Sequence, residues 1–310
     1  MKAILLAHWN GRFGNRMHQY AYGATYAKLN NCQFILPSDW EGSFLFKKQV
    51  HEVLKNDDLR LHINQSQRGL DTIQYREQNI KRHYPGARQI NPEDPNDCYS
   101  VHDDLVYFDC MCAYKQFVFD RMSKSYIKDI FEFSDEVKNL DIYKRLEDGQ
   151  GKDIVAHLRR DDICNLAITK TGDVGYSTVS LDSYKRAFKK FGVDYNEVKW
   201  VTDDRSLNIV PKTQEVKLGW SYPVGAHKDD KIGFDFLEDF LKIYFAKKVF
   251  RANSSFSWWA SFLSNAEIYS PILGEKVVYG YPDLVEIEVD FEEGNEHHWM
   301  HYCDKILMND

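Results

Sequence analysis

The sequence predicts an α/β fold in two domains, each built around a parallel sheet, on three observations. Its 310 residues are enough for two domains with sizeable cores. Short apolar runs alternate with helical stretches, the pattern of strand–helix–strand units. A polar break at Glu147-Asp-Gly-Gln-Gly-Lys-Asp153 separates one such alternation from a second, giving expected domains 1–148 and 149–310.

In the first half, Lys2–His8 reads as a strand and Asn10-Gly-Arg-Phe-Gly-Asn15 as a glycine turn. A helix is expected over Arg16–Leu29 and a second strand over Cys32–Leu36, closed by Pro37. Together these make one right-handed βαβ unit. Ala87–Asp104, with Pro92 and Pro95 among Asp and Asn, reads as a long loop, and Tyr114–Met122 and Tyr126–Asp135 as short helices. In the second half, strands are expected at Ile154–His157, Val198–Thr202, Val249–Ala252 and Glu267–Ser270. Helices are expected at Asp182–Phe191, Phe256–Leu263 and Gly233–Lys247, the last with Phe236, Leu237, Phe240, Leu241 and Tyr244 at helical spacing.

Composition removes several classes. Net charge is −7 with no basic tail, which disfavours nucleic acid as a partner. No apolar stretch reaches the length of a transmembrane anchor, and the run at Met1–His8 is short for an export signal. Cys32, Cys98, Cys110, Cys112, Cys164 and Cys303 lack a framework spacing and read as reduced thiols, so a cytoplasm is the expected compartment.

Three segments carry chemistry, each where a strand runs out, which is where open α/β sheets hold ligands. In His157-Leu-Arg-Arg-Asp-Asp162, strand alternation puts His157 and Arg159 on one face and Arg160 on the other. Adjacent guanidiniums need anions, either a bound phosphate or carboxylates such as Asp161 and Asp162. Asp203-Asp204 could accept hydrogen bonds from a guanine edge or ribose, or cap a helix starting at Ser206. In Ala252-Asn-Ser-Ser-Phe-Ser-Trp-Trp-Ala260 a hydroxyl-rich turn opens a helix, either a phosphate cradle or an ordinary cap. Trp258 and Trp259 read as core.

Gly11-Arg-Phe-Gly-Asn-Arg-Met-His-Gln-Tyr-Ala21 resembles the Gly-x-Leu-Gly-Asn-Gln-Met-Phe-Gln-Tyr-Ala opening of the α-1,2-fucosyltransferases. His157–Asp162 resembles their His-x-Arg-Arg-Gly-Asp, and Asn253–Ala260 their Asn-Ser-Ser/Thr-Phe/Tyr-Ser-Trp-Trp-Ala, with Glu238-Asp239 at the usual interval before it. Thr202-Asp-Asp204 looks like the strand end of the wider α-1,6 and protein O-fucosyltransferase group. The resemblance implies a GT-B-like fold of two Rossmann-type lobes with a cleft between them, the C-terminal tail packing back on the first lobe. It implies an inverting transfer of L-fucose from GDP-β-L-fucose to a hydroxyl of an oligosaccharide or glycan acceptor, an α-1,2-type linkage, and neither metal nor cofactor.

Carried over residue by residue, Arg159 grips the pyrophosphate with Arg160 supporting it, and His157, Asp203 and Asp204 meet the GDP head. Asn253, Ser254, Ser255 and Phe256 hold phosphate, and Gly11, Gly14, Asn15 and His18 line the cleft. Asp162 is the candidate base or substrate-hydroxyl partner. The departures are Phe13, Arg16, His18 and Asp161. They keep open a different GDP-hexose, or a descendant that binds nucleotide or carbohydrate without catalysis.

Gly11-x-x-Gly14 is no P-loop, since no Gly-Lys-Ser/Thr follows. His297 and His301 are read as a terminal helix face rather than a zinc site, and Cys110-x-Cys112 as core.

Overall fold

The computed structural model describes residues 2–55, 57, 69–92, 94, 97, 105–109, 115–159, 178–202, 221–223, 231–272 and 286–294. They fall into two compact units, Met1–Lys138 with Leu218–Asp235, and Asn139–Lys217 with Phe236–Asp310. The division comes at Lys138 rather than at 148. The helix Asp141–Asp148 packs within the second unit, where Arg145 Nη2 meets Glu238 Oε1 at 3.3 Å. The expected packing of the tail concerns residues 295–310, outside the described residues.

The first unit holds β1 (Ala3–Leu6), β2 (Gln33–Leu36), β3 (Glu52–Val53), β4 (Arg88–Ile90) and β5 (Val106–Phe108) in the order β3-β2-β1-β5-β4. Every neighbouring pair is parallel. Buried on both faces, β1 reads as an unbroken apolar run, as a central parallel strand should. The helix Phe13–Asn30 crosses from β1 to β2, the expected βαβ unit. Its last carbonyls are closed by Asn31 in the left-handed conformation, φ 47°, whose N–H donates to Ala27.

Two expectations for this half are corrected. Within the supposed loop Ala87–Asp104, Arg88–Ile90 forms β4 against β5. A strand with one buried side chain, Ile90, carries almost no pattern to read. The helix expected over Tyr126–Asp135 is two, Lys124–Ile130 and Asp135–Lys138. Between them Phe133 forms a bridge with Phe46, and Glu132 accepts the Lys47 N–H at 2.8 Å, bonds that a continuing helix would forbid.

In the second unit lie β6 (Ile154–Leu158), β7 (Thr178–Val179), β8 (Val198–Thr202), β11 (Lys248–Phe250), β12 (Glu267–Pro271), β13 (Glu286–Ile287) and β14 (Phe291–Glu293). The main sheet runs β14-β12-β11-β6-β8, parallel except for β14 at its edge. Strands β7 and β13 pair separately. The antiparallel pair β9 (Ser221–Pro223) and β10 (Lys231–Gly233) belongs to the first unit, so the helix expected from Gly233 begins only at Leu237.

One face of the main sheet buries Ala156, Leu158 and Phe250 against Tyr184 and Phe188 of the helix Leu181–Lys190 and against Trp200, Tyr269 and Phe291. Trp258 and Trp259, on the helix Ser255–Leu263, are core as expected, at 0% and 1% exposure. Among the described residues no helix is long and apolar enough to cross a membrane.

Candidate functional site

From β6 the second unit's chain builds outward to β8, then returns to lay β11 and β12 on the other side. The reversal leaves a switch point between β6 and β11, and the carboxyl ends of the strands beside such a point are where open α/β sheets hold ligands. Register levels those ends: Leu158 pairs with Thr202 across one seam and Ala156 with Phe250 across the other. Two predicted segments therefore start side by side, Arg159 after β6 and Ala252 through Ser255 beyond β11, while β8 ends level with them at Thr202.

His157 is 6% exposed and faces away from the Ala156–Leu158 side of the sheet, its ring 5.8 Å from that of Phe256. Two of the predicted segments thus touch. The His157 carbonyl accepts the Tyr184 hydroxyl at 2.7 Å, while Nδ1 has no hydrogen-bond partner among the described residues. Burial, with the Arg159 charge beside it, pushes the imidazole down to about 3, so it is neutral at physiological pH. Arg159 is half-buried at the mouth of the strand.

Asn253 and Ser254 are buried at 5% and 4%, and Ser255 and Phe256 are half-exposed. Ser254 caps the helix Ser255–Leu263, accepting the Phe256 N–H at 3.3 Å. The ordinary cap is therefore realised, and the hydroxyl proton of Ser254 is not used by that bond. Glu238 pairs with Arg145 and Lys242, and Asp239 with Lys242, which makes them a charged helix face. Arg160, Asp161, Asp162, Asp203 and Asp204 lie outside the described residues, as do Cys110, Cys112, His297, His301 and Cys303. Among the described residues no group of three or more His, Cys, Asp or Glu could hold a metal ion.

The first unit has its own switch point, between β1 and β5. There His8 Nε2 meets Asp109 Oδ1 at 2.9 Å, and Asn10 Nδ2 donates to the same carboxylate oxygen at 2.6 Å. Burial alone would raise the Asp109 carboxyl, but the bond and charge of His8, with the Asn10 bond, hold it below the usual range. Sequence reading missed this cluster because His8 ends an apolar run and Asp109 follows another. Their shared position, just past two adjacent strands, appears only with the strand order.

Gly11 sits in the following turn at φ +70°, a conformation that L side chains adopt only under strain. A Cβ there would lie 2.4 Å from Asn15 Nδ2. Gly14 is buried, Asn15 half-buried, and His18 buried at 3%. Arg16 donates to Gly11 and Asp39 carbonyls and pairs with Glu41 at 2.9 Å, so it braces the turn. Gly11→Ala is expected to cost about 1–2 kcal/mol in backbone strain and to displace Asn15, read as a lower unfolding midpoint in denaturant.

No family model matches the chain, and no curated protein matches it. Among solved structures it is similar to fucosyltransferase NodZ from Bradyrhizobium, at 14% identity and TM-score 0.47, over 90% of this chain and 98% of that one. It is also similar to POFUT1 in complex with GDP, at 14% identity and TM-score 0.46, over 85% and 94%. For a point mutant of Arabidopsis thaliana FUT1 in complex with GDP the identity is 10% and the TM-score 0.45, over 89% and 71%. Likeness at this level fixes neither family nor reaction.

Proposed function

We propose that the chain is a GDP-fucose-dependent fucosyltransferase, moving L-fucose to a glycan hydroxyl by an inverting single displacement with α-1,2-type linkage and without a metal. The observation that carries this reading is the convergence of three strand ends at the switch point, with His157 of one motif against Phe256 of another. Each of those ends carries a segment resembling the family's motifs.

The chemistry suits the residues. As the glycosidic bond breaks, negative charge grows on the GDP leaving group, and donors fixed beside it lower the barrier. Arg159 would supply a two-pronged contact, with Arg160 beside it, and Ser254, Ser255 and the first turn of their helix would add hydroxyl and N–H donors. Asp203 and Asp204 would read the nucleoside. Asp162 would take the acceptor's proton.

The test is differential stabilisation. GDP and GDP-fucose are expected to raise the melting temperature and UDP to leave it unchanged. A ligand at a hundred times its dissociation constant adds about 2.7 kcal/mol. Equal stabilisation by UDP, or none by any guanine nucleotide, overturns the reading. GDP-mannose stabilising more than GDP-fucose would assign a different hexose to the same site.

A further inference from the structure

Arg251 follows β11 directly and precedes the Ala252-Asn253-Ser254 turn, on the strand that forms one side of the switch point. Its side chain is wholly buried, at 0% exposure. Nε donates to Ser270 Oγ on the neighbouring β12 at 2.6 Å, and Ser270 donates in turn to the Gly294 carbonyl at 2.7 Å. That leaves Nη1 and Nη2, both buried and both without a hydrogen-bond partner among the described residues. Burial lowers the guanidinium to about 9, opposed by the Tyr184 hydroxyl, so the group still carries its charge at neutral pH.

A buried cation with most of its donors unmet by the protein is costly, because nothing in the chain around it repays its lost hydration. Folded proteins keep such a group where an anion completes it. Pinned at Nε, the guanidinium holds its outer edge in one orientation, and that edge matches two oxygens of a phosphate. We propose that Arg251 is an inner phosphate-binding residue, its Nη1 and Nη2 taking oxygens of the donor's diphosphate at the carboxyl end of β11. This rests on the nucleotide-sugar reading above and adds a residue outside the three motif segments. Sequence inspection passed over it as the interior of a strand expected to run to Ala252.

Arg251→Met, which keeps a side chain of similar reach without charge or donors, separates ligand binding from structure. The variant is expected to melt no lower than the wild type, because an uncompensated buried charge is gone. It is expected to bind GDP and inorganic pyrophosphate about tenfold to a hundredfold more weakly while guanosine binding is unchanged. A crystal structure of the wild type with GDP should place a phosphate oxygen within hydrogen-bond distance of Nη1 or Nη2. A lower melting temperature with unchanged GDP affinity in the folded variant overturns the proposal. So does a wild-type complex in which both atoms bond a carboxylate of the chain itself. If the wild type binds no guanine nucleotide, the functional reading falls, and the pyrophosphate titration of the two proteins still decides Arg251.

Discussion

Arg159→Ala is expected to lower the rate of transfer at least a hundredfold while barely moving the unfolding midpoint. The two halves of that expectation have separate causes. Arg159 lies just past β6 and is half-buried, so truncating it opens no core cavity. In the proposed reaction its guanidinium faces charge that grows as the bond to GDP breaks, and one such preorganised donor is worth on the order of a hundredfold to a thousandfold. Arg159→Lys should restore little, because an ammonium cannot reproduce a two-pronged contact. Steady-state rates alongside denaturant melts check both halves. Wild-type turnover in Arg159→Ala would remove it from the mechanism, and a collapsed midpoint would make its role structural.

The second large effect is on stability toward acid. His157 is buried and neutral in the folded chain, titrating at about 3 against an ordinary value of 6.5. Between those values the unfolded chain binds a proton that the folded chain refuses. Stability is therefore full above pH 6.5 and falls as the pH drops, by up to about 1.4 kcal/mol per unit. From pH 6.5 to 4.5 the loss from this one imidazole is on the order of 2 kcal/mol. His51 in the first unit, lowered to about 4 by burial, acts in the same direction. His157→Gln should remove about half of the slope over that window, because His51, lowered to about 4, contributes nearly as much there. Urea titrations at pH 7, 6 and 5 measure it. Parallel slopes in wild type and variant would show that the buried imidazole is not the acid-labile group.

What could be read in advance follows physical lines. Elements with strong local patterns stood where expected: the strand Val198–Thr202, the helix Leu181–Lys190, and the opening strand–turn–helix around Gly11. Strand β4 and the split after Ile130 were illegible, because both are made by pairing with distant chain rather than by local preference. The same divide runs through the sites. His157, Arg159 and the Asn253-Ser254-Ser255 turn announce themselves by sequence because polar residues crowd a strand end. His8 with Asp109, a contact across about a hundred positions, and the lone Arg251 depend on strand order. No single-chain pattern encodes that order.

The segment Leu218–Asp235 belongs to the first unit, although 79 residues of the second (139 to 217) precede it in the chain. Phe234, buried at 1%, packs its ring 5.3 Å from that of Phe44. During synthesis from the N-terminus, the opening unit therefore cannot be finished when its first 138 residues leave the ribosome. It waits while more than half of the other unit's sequence is made, then receives its closing piece. Ring closure over so long an intervening stretch adds little entropy cost at equilibrium, since that cost grows only with the logarithm of length. The consequence is one of timing: the apolar place meant for Phe234 stays open through much of translation, and a gene fragment cut at residue 148 would never fill it.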